Sequence, residues 1–119
     1  GAQYIISMER IYYNVDDPNG LDLFLKTHKR EISYRLSKNL IEALENNIDD
    51  FTFAEIKVGK DGEVEEPMTI LLNCHREDYL DSLEKQLVNM TEFEEYELCT
   101  KLKEWIDYMK VERNVRKNG

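Results

Sequence analysis

At 119 residues the chain has room for one modest domain, or one domain with a helical appendage, since single cores run from about 50 to 200 residues; two independent enzymatic domains are excluded. Hydrophobic residues at 41%, charged residues at 34% and only two prolines describe a soluble, helix-friendly chain, not a disordered or collagenous one. Twenty-five acidic against sixteen basic side chains leave a net charge of -9, which repels a phosphate backbone and argues against direct DNA or RNA binding.

The two cysteines, Cys74 and Cys99, are too few for a disulfide scaffold or a four-ligand zinc site, and they suit a reducing compartment. The longest apolar runs, at residues 4–8 and 70–72, fall far short of the ~20 residues a membrane span needs, and no basic start with an apolar core marks a signal peptide. A cytoplasmic protein without membrane contact is expected. Met8-Glu9-Arg10 reads as a native start, so residues 1–7 are set aside as added sequence.

Residues 5–15 (IISMERIYYNV) are rich in β-branched and aromatic types and predict a first strand, ended by the turn formers Asp16-Asp17-Pro18-Asn19-Gly20. Residues 21–48 lack Gly and Pro, and Leu21, Phe24, Leu25, Ile32, Leu36, Leu40, Ala43, Leu44 and Ile48 recur at three- and four-residue spacing. That spacing predicts helix, with a break near Thr27 whose hydroxyl caps the longer second piece. After Asp49-Asp50 the period changes. Residues 51–58 (FTFAEIKV) and 68–73 (MTILLN) are short and apolar, and Gly59-Lys60-Asp61-Gly62 supplies the turn of a β-hairpin, with Pro67 at its edge or strand start. Helical periodicity returns from His75 to about Val111, and residues 113–119 read as a frayed polar tail. The expected fold is α+β: a small, mainly antiparallel three-stranded sheet packed on helix, followed by a C-terminal antiparallel helical hairpin. The expected division is residues 1–75 as the α+β unit, 76–112 as the hairpin and 113–119 as the tail.

The search for chemistry returns little. His28 and His75 stand in no metal-ligand spacing, and the neighbours Cys74 and His75 diverge whether they lie on a strand or a helix, so they make no thiolate-imidazole pair. Cys74 is expected in the core at a strand end, His75 in water and His28 at the edge of an apolar stripe. The acidic clusters Asp16-Asp17, Asp49-Asp50 and Glu63, Glu65, Glu66 lack the alternating oxygens of a calcium loop and read as caps or solvated turns. No glycine loop precedes a helix in the way a nucleotide phosphate requires. A non-enzyme with no catalytic, cofactor or metal residue is expected.

The C-terminal third is more informative. Leu83, Leu87 and Met90 share one helical face before the acidic link TEFEE; Tyr96, Cys99, Leu102, Ile106 and Met109 form a second stripe after it. Two such stripes predict a helical hairpin whose apolar faces zip together. Glu94, Glu95 and Glu97 open the last helix and Lys101, Lys103 and Lys110 follow, the order that the helix dipole favours. The run Leu83-Glu84-x-x-Leu87, then Glu94-Glu95-Tyr96-Glu97-x-Cys99-Thr100-x-Leu102-Lys103-Glu104-x-Ile106-x-x-Met109, resembles the UVR motif. That motif occurs in two excision-repair subunits and in regulators and chaperones of a stress-response protease system. The resemblance implies a small hairpin that docks onto other proteins, often onto another copy of itself. Cys99-Thr100 stand where the motif has two alanines, and Lys103-Glu104 where it has Arg-Asp; the first change still lets helices approach, and the second loses the bidentate fork of Arg.

Leu98, Trp105 and Tyr108 form a further apolar stripe on the last helix, in residue types favoured at interfaces. This stripe is expected to be a partner or dimer surface, with Trp105 near the interface of a homodimer. The sequence therefore points to a non-enzymatic, cytoplasmic interaction or adaptor protein of bacterial, phage or mobile-element origin. Its partner is a protein, not nucleic acid or membrane. The alternative is an acidic nucleic-acid mimic that inhibits a DNA-binding or nuclease protein.

Overall fold

Strand, crossover helices, β-hairpin and helical pair follow one another as the changes of hydrophobic period predict, in a computed structural model that describes residues 8–59 and 67–118. The elements are β1 (Ile11–Val15), α1 (Leu21–Thr27), α2 (Lys29–Glu45), β2 (Asp50–Val58), β3 (Met68–His75), α3 (Tyr79–Glu92) and α4 (Tyr96–Asn118). Short 3-10 turns at Pro18–Gly20 and Arg76–Asp78 precede α1 and α3. The class is α+β, as expected. Residues 5–7 of the expected first strand and Lys60-Asp61-Gly62 of the expected turn lie outside the described residues. Residues 113–118 continue α4 instead of fraying from it.

The break between α1 and α2 falls at His28, one residue past the expected place, and Thr27 does not cap α2: its hydroxyl bonds back to the Leu23 carbonyl, 2.8 Å away, in its own helix. The His28 ring fills the bend, packed on Phe24 at 4.3 Å and Tyr13 at 5.0 Å between centroids.

The sheet has the order β1-β2-β3 and is mixed, not mainly antiparallel. β2 pairs antiparallel with β3, whereas β1 pairs in parallel with β2. The connection explains the difference, because a helical crossover returns the chain to the end of the sheet from which the first strand started, and that makes the pair parallel. In β2 the apolar pattern slips phase, from Phe51 and Phe53 to Ala54, Ile56 and Val58, yet all five side chains are buried. A bulge between Thr52 and Ala54 absorbs one residue and brings both halves onto the helix-covered face. Tyr12, Glu55 and Leu71 form a row across the other, open face.

One core cluster contains Leu40 and Ala43 of α2, Phe51 and Phe53 of β2, Cys74 of β3, Tyr79, Leu83 and Met90 of α3, and Leu98, Leu102 and Ile106 of α4. The expected division at residue 75 thus runs through a shared core. A second, smaller cluster of Val15, Ile56 and Val58 lies under Phe24 and Leu25 of α1.

The hairpin is fastened at its open end to the loop between α2 and β2. Asn47 takes a left-handed conformation (φ 54°), and the Ile48 N–H bonds back to the Ala43 carbonyl at 2.8 Å, the Schellman geometry that ends α2. The Ile48 carbonyl then accepts the Tyr79 hydroxyl at 2.8 Å and Arg76 Nη2 at 3.3 Å. Arg76 also donates to Asn47 Oδ1 at 2.9 Å and Asp49 Oδ1 at 2.6 Å, and its guanidinium lies over the Tyr79 ring. The Tyr79 ring is fully buried and packs at a tilt against Phe51.

Burial pushes the Tyr79 phenol up to about 12, with Cys74 adding to the shift and Arg76 opposing it. An acid whose folded pKa lies above its unfolded value, about 10 for tyrosine, stabilises the fold fully below pH 10 and loses that contribution as pH rises toward 12. Tyr79→Phe should cost about 1 kcal/mol at pH 7, because Arg76 still satisfies the carbonyl. It should also flatten the stability loss between about pH 10 and 12. Urea titrations across that range check both effects.

Candidate functional site

The α3–α4 pair is built by one tight bend. Phe93 caps α3, Glu94 turns left-handed (φ 59°), the Glu94 N–H bonds to the Thr91 carbonyl at 3.1 Å, and the Glu95 N–H reaches the Met90 carbonyl at 2.9 Å. These are the two bonds of a Schellman motif, with a glutamate where glycine is usual. The N-terminal turn of α2 holds this bend: Arg30 donates to Glu95 at 3.2 Å and lies over the Phe93 ring, and Lys29 stands 4.0 Å from Glu92. Lys110 of α4 faces Glu84 of α3 across the pair at 3.8 Å.

Most of the expected seam residues meet. Leu83, Met90, Leu102 and Ile106 are buried between the helices and the rest of the core, and Leu87, Cys99 and Met109 are half-buried against them. Tyr96 does not join them. It is the first residue of α4, points away from the seam and is 63% exposed. Leu98 takes the place in the core, 8% exposed, because it lies nearly under Leu102 one turn later, whereas Tyr96 is about 120° off that line at 100° per residue.

The same geometry divides the expected partner stripe of Leu98, Trp105 and Tyr108. Leu98 is internal, Trp105 is half-buried against the core, and only Tyr108 is exposed, at 59%. The Trp105 and Tyr108 rings touch edge to face, 5.6 Å between centroids. Tyr108 belongs instead to an outer stripe with Val111 and Val115, 63% and 64% exposed, spaced three and four residues apart. Sequence reasoning missed this stripe because Val115 falls in the expected polar tail and Val111 stands at the end of the expected helix, away from both of its stripes. The signal was the uninterrupted spacing of three and four past Tyr108.

Charge is sorted around α4. Glu97, Glu104, Asp107 and Glu112 lie within roughly 75° of the outer stripe, whereas Lys103, Lys110, Arg113, Arg116 and Lys117 lie more than about 100° from it. Lys101 is the one cation on the acidic side. On the inner side a groove over Leu80 and Met109 is rimmed by charges of both signs, Arg76, Arg113 and Arg116 with Glu77, Asp81 and Glu112.

Both cysteines are free thiols at least partly covered by the fold. Cys74 is buried, and burial raises its thiol pKa while the Ser82 hydroxyl, 3.5 Å away, partly offsets the rise. His75 ends β3 and is exposed on the opposite face. Cys99 is half-buried, 3.5 Å from the Thr91 hydroxyl. Burial, and then the hydrogen bond to Glu31, raises the pKa of the Tyr13 phenol. Among the described residues no three His, Cys, Asp or Glu side chains gather as a metal site, and no helix is long and apolar enough to cross a membrane.

A carboxylate at position 102 would sit unpaired in the seam. Leu102→Asp should therefore lose about 3 to 5 kcal/mol, while Tyr96→Ala should stay within about 0.5 kcal/mol of wild type. Thermal and urea unfolding of the two variants checks the assignment of inner and outer faces.

Comparison of the chain with protein-family models, with curated proteins and with solved structures finds no match.

Proposed function

We propose that the protein is a non-enzymatic cytoplasmic adaptor that holds a protein partner through its C-terminal, UVR-like hairpin. The observation that carries this reading is the outer face of α4, where Tyr108, Val111 and Val115 expose an apolar stripe on the side opposite to Leu98, Leu102 and Ile106, which bury the inner face in the core. An apolar stripe at helical spacing is the form in which a helix offers itself to another protein. The UVR resemblance supports the same reading. Of its apolar positions, Leu83, Leu87, Cys99, Leu102, Ile106 and Met109 lie on the closed side of the hairpin, whereas Tyr96 does not, and the opposite side of α4 is left for docking.

The alternative of a nucleic-acid mimic is less well supported. A mimic needs unneutralised carboxylates at the spacing of phosphates. Here Glu9, Asp49, Glu92 and Glu95 are each within 4.0 Å of a lysine or arginine of the same chain.

Affinity capture from cells that carry the protein tests the proposal. Wild type should enrich a protein that the double variant Val111→Asp, Val115→Asp loses, with circular dichroism showing both chains equally helical. A captured set that the double variant leaves unchanged contradicts the proposal.

A further inference from the structure

We infer that the outer face of α4 receives a cationic amphipathic helix of its partner; this rests on the reading of that face as a docking surface and names the chemistry that fits it. The stripe of Tyr108, Val111 and Val115 has the three-and-four spacing that meets the apolar side of one partner helix. Its borders are acidic. Glu104 lies on the line of the stripe, Asp107 on one flank and Glu112 on the other, while most of the cations of α4 are turned away.

These carboxylates can accept new partners. Asp107 has only an exposed contact with Lys103 at 3.5 Å, and Glu112 one with Arg116 at 2.9 Å, both of the i,i+4 kind that holds weakly in water. Glu104 has no ion pair among the described residues. Lysines or arginines flanking an apolar helix would complete these interactions, and the net charge of -9 would speed their approach. A second copy of this chain fits worse. Antiparallel pairing centred on Val111 sets Glu112 beside its own copy, and like charges across an interface oppose association.

The test uses the full chain and a synthetic Leu/Lys amphipathic peptide of about 14 residues, four helical turns. Its controls are a scrambled peptide of the same composition and a Leu/Glu counterpart. Trp105 is the only tryptophan and touches Tyr108, so its emission reports occupancy of the stripe. Wild type should bind the Leu/Lys peptide at least about tenfold more tightly than the scrambled one. Val111→Ser with Val115→Ser should remove that preference, and Glu104→Lys with Asp107→Lys should transfer binding to the Leu/Glu peptide. Leu/Lys binding that neither pair of substitutions changes overturns the inference, as does an absence of binding. Sedimentation equilibrium then separates the two readings. If wild type forms a dimer that the serine variant loses while the Leu/Lys peptide does not bind, the cationic partner is excluded and the docking face stands. If there is neither peptide binding nor dimer, the cationic partner is excluded, and capture that is insensitive to Val111 and Val115 excludes the docking face as well.

Discussion

The carbonyl of Ile48 accepts two hydrogen bonds from residues 28 and 31 positions later, one from Arg76 and one from the hydroxyl of Tyr79. Both donors sit at the entrance to the helical hairpin, and the acceptor sits in the loop that converts α2 into β2. An unpaired buried carbonyl is costly, so the loop and the hairpin entrance favour each other's native conformation. The left-handed Asn47 places the acceptor, and Phe51 places the ring that Tyr79 packs against. At the other end of the hairpin, Lys29 and Arg30 hold the acidic bend. The pair is thereby fixed on the α2 layer at both ends, and its inner face completes the main core.

This fixation determines what α4 can offer. With Leu98, Leu102 and Ile106 directed inward, the 3.6-residue period leaves Tyr108, Val111 and Val115 on the far side. The acids of α4 gather beside that stripe, and its cations are mostly turned toward α3 and the groove over Leu80 and Met109. Fold and proposed function meet in one helix, whose inner face stabilises the molecule and whose outer face remains unpartnered among the described residues.

Element type was legible in the sequence wherever one period ran without interruption, as in residues 29–45 and in the seam from Leu83 to Ile106. Strand direction was not, because β-branched composition is the same for either direction and only the helical crossover makes β1 parallel. The bulge in β2 was hidden by its own effect: Phe51-Thr52-Phe53 and Ala54-Glu55-Ile56 each alternate, but out of phase with one another. Tyr96 and Leu98 exchanged roles because α4 begins at Tyr96 and the inner line is set by Leu102, a rotation that hydrophobicity alone does not specify. The bend at Glu94 fell within the expected acidic link although no glycine marks it, whereas Val115 was read as tail and Val111 as a mere helix end.

The central claim is that sheet, crossover helices and hairpin form one cooperative unit around the Ile48 carbonyl. Native-state hydrogen exchange in increasing denaturant measures this most directly, since it gives an opening free energy for each amide. The slowest amides of β2, α3 and α4 should converge on a single opening free energy equal to that of global unfolding. A hairpin whose amides open together at a lower free energy, while β2 and α2 stay protected, would contradict the account.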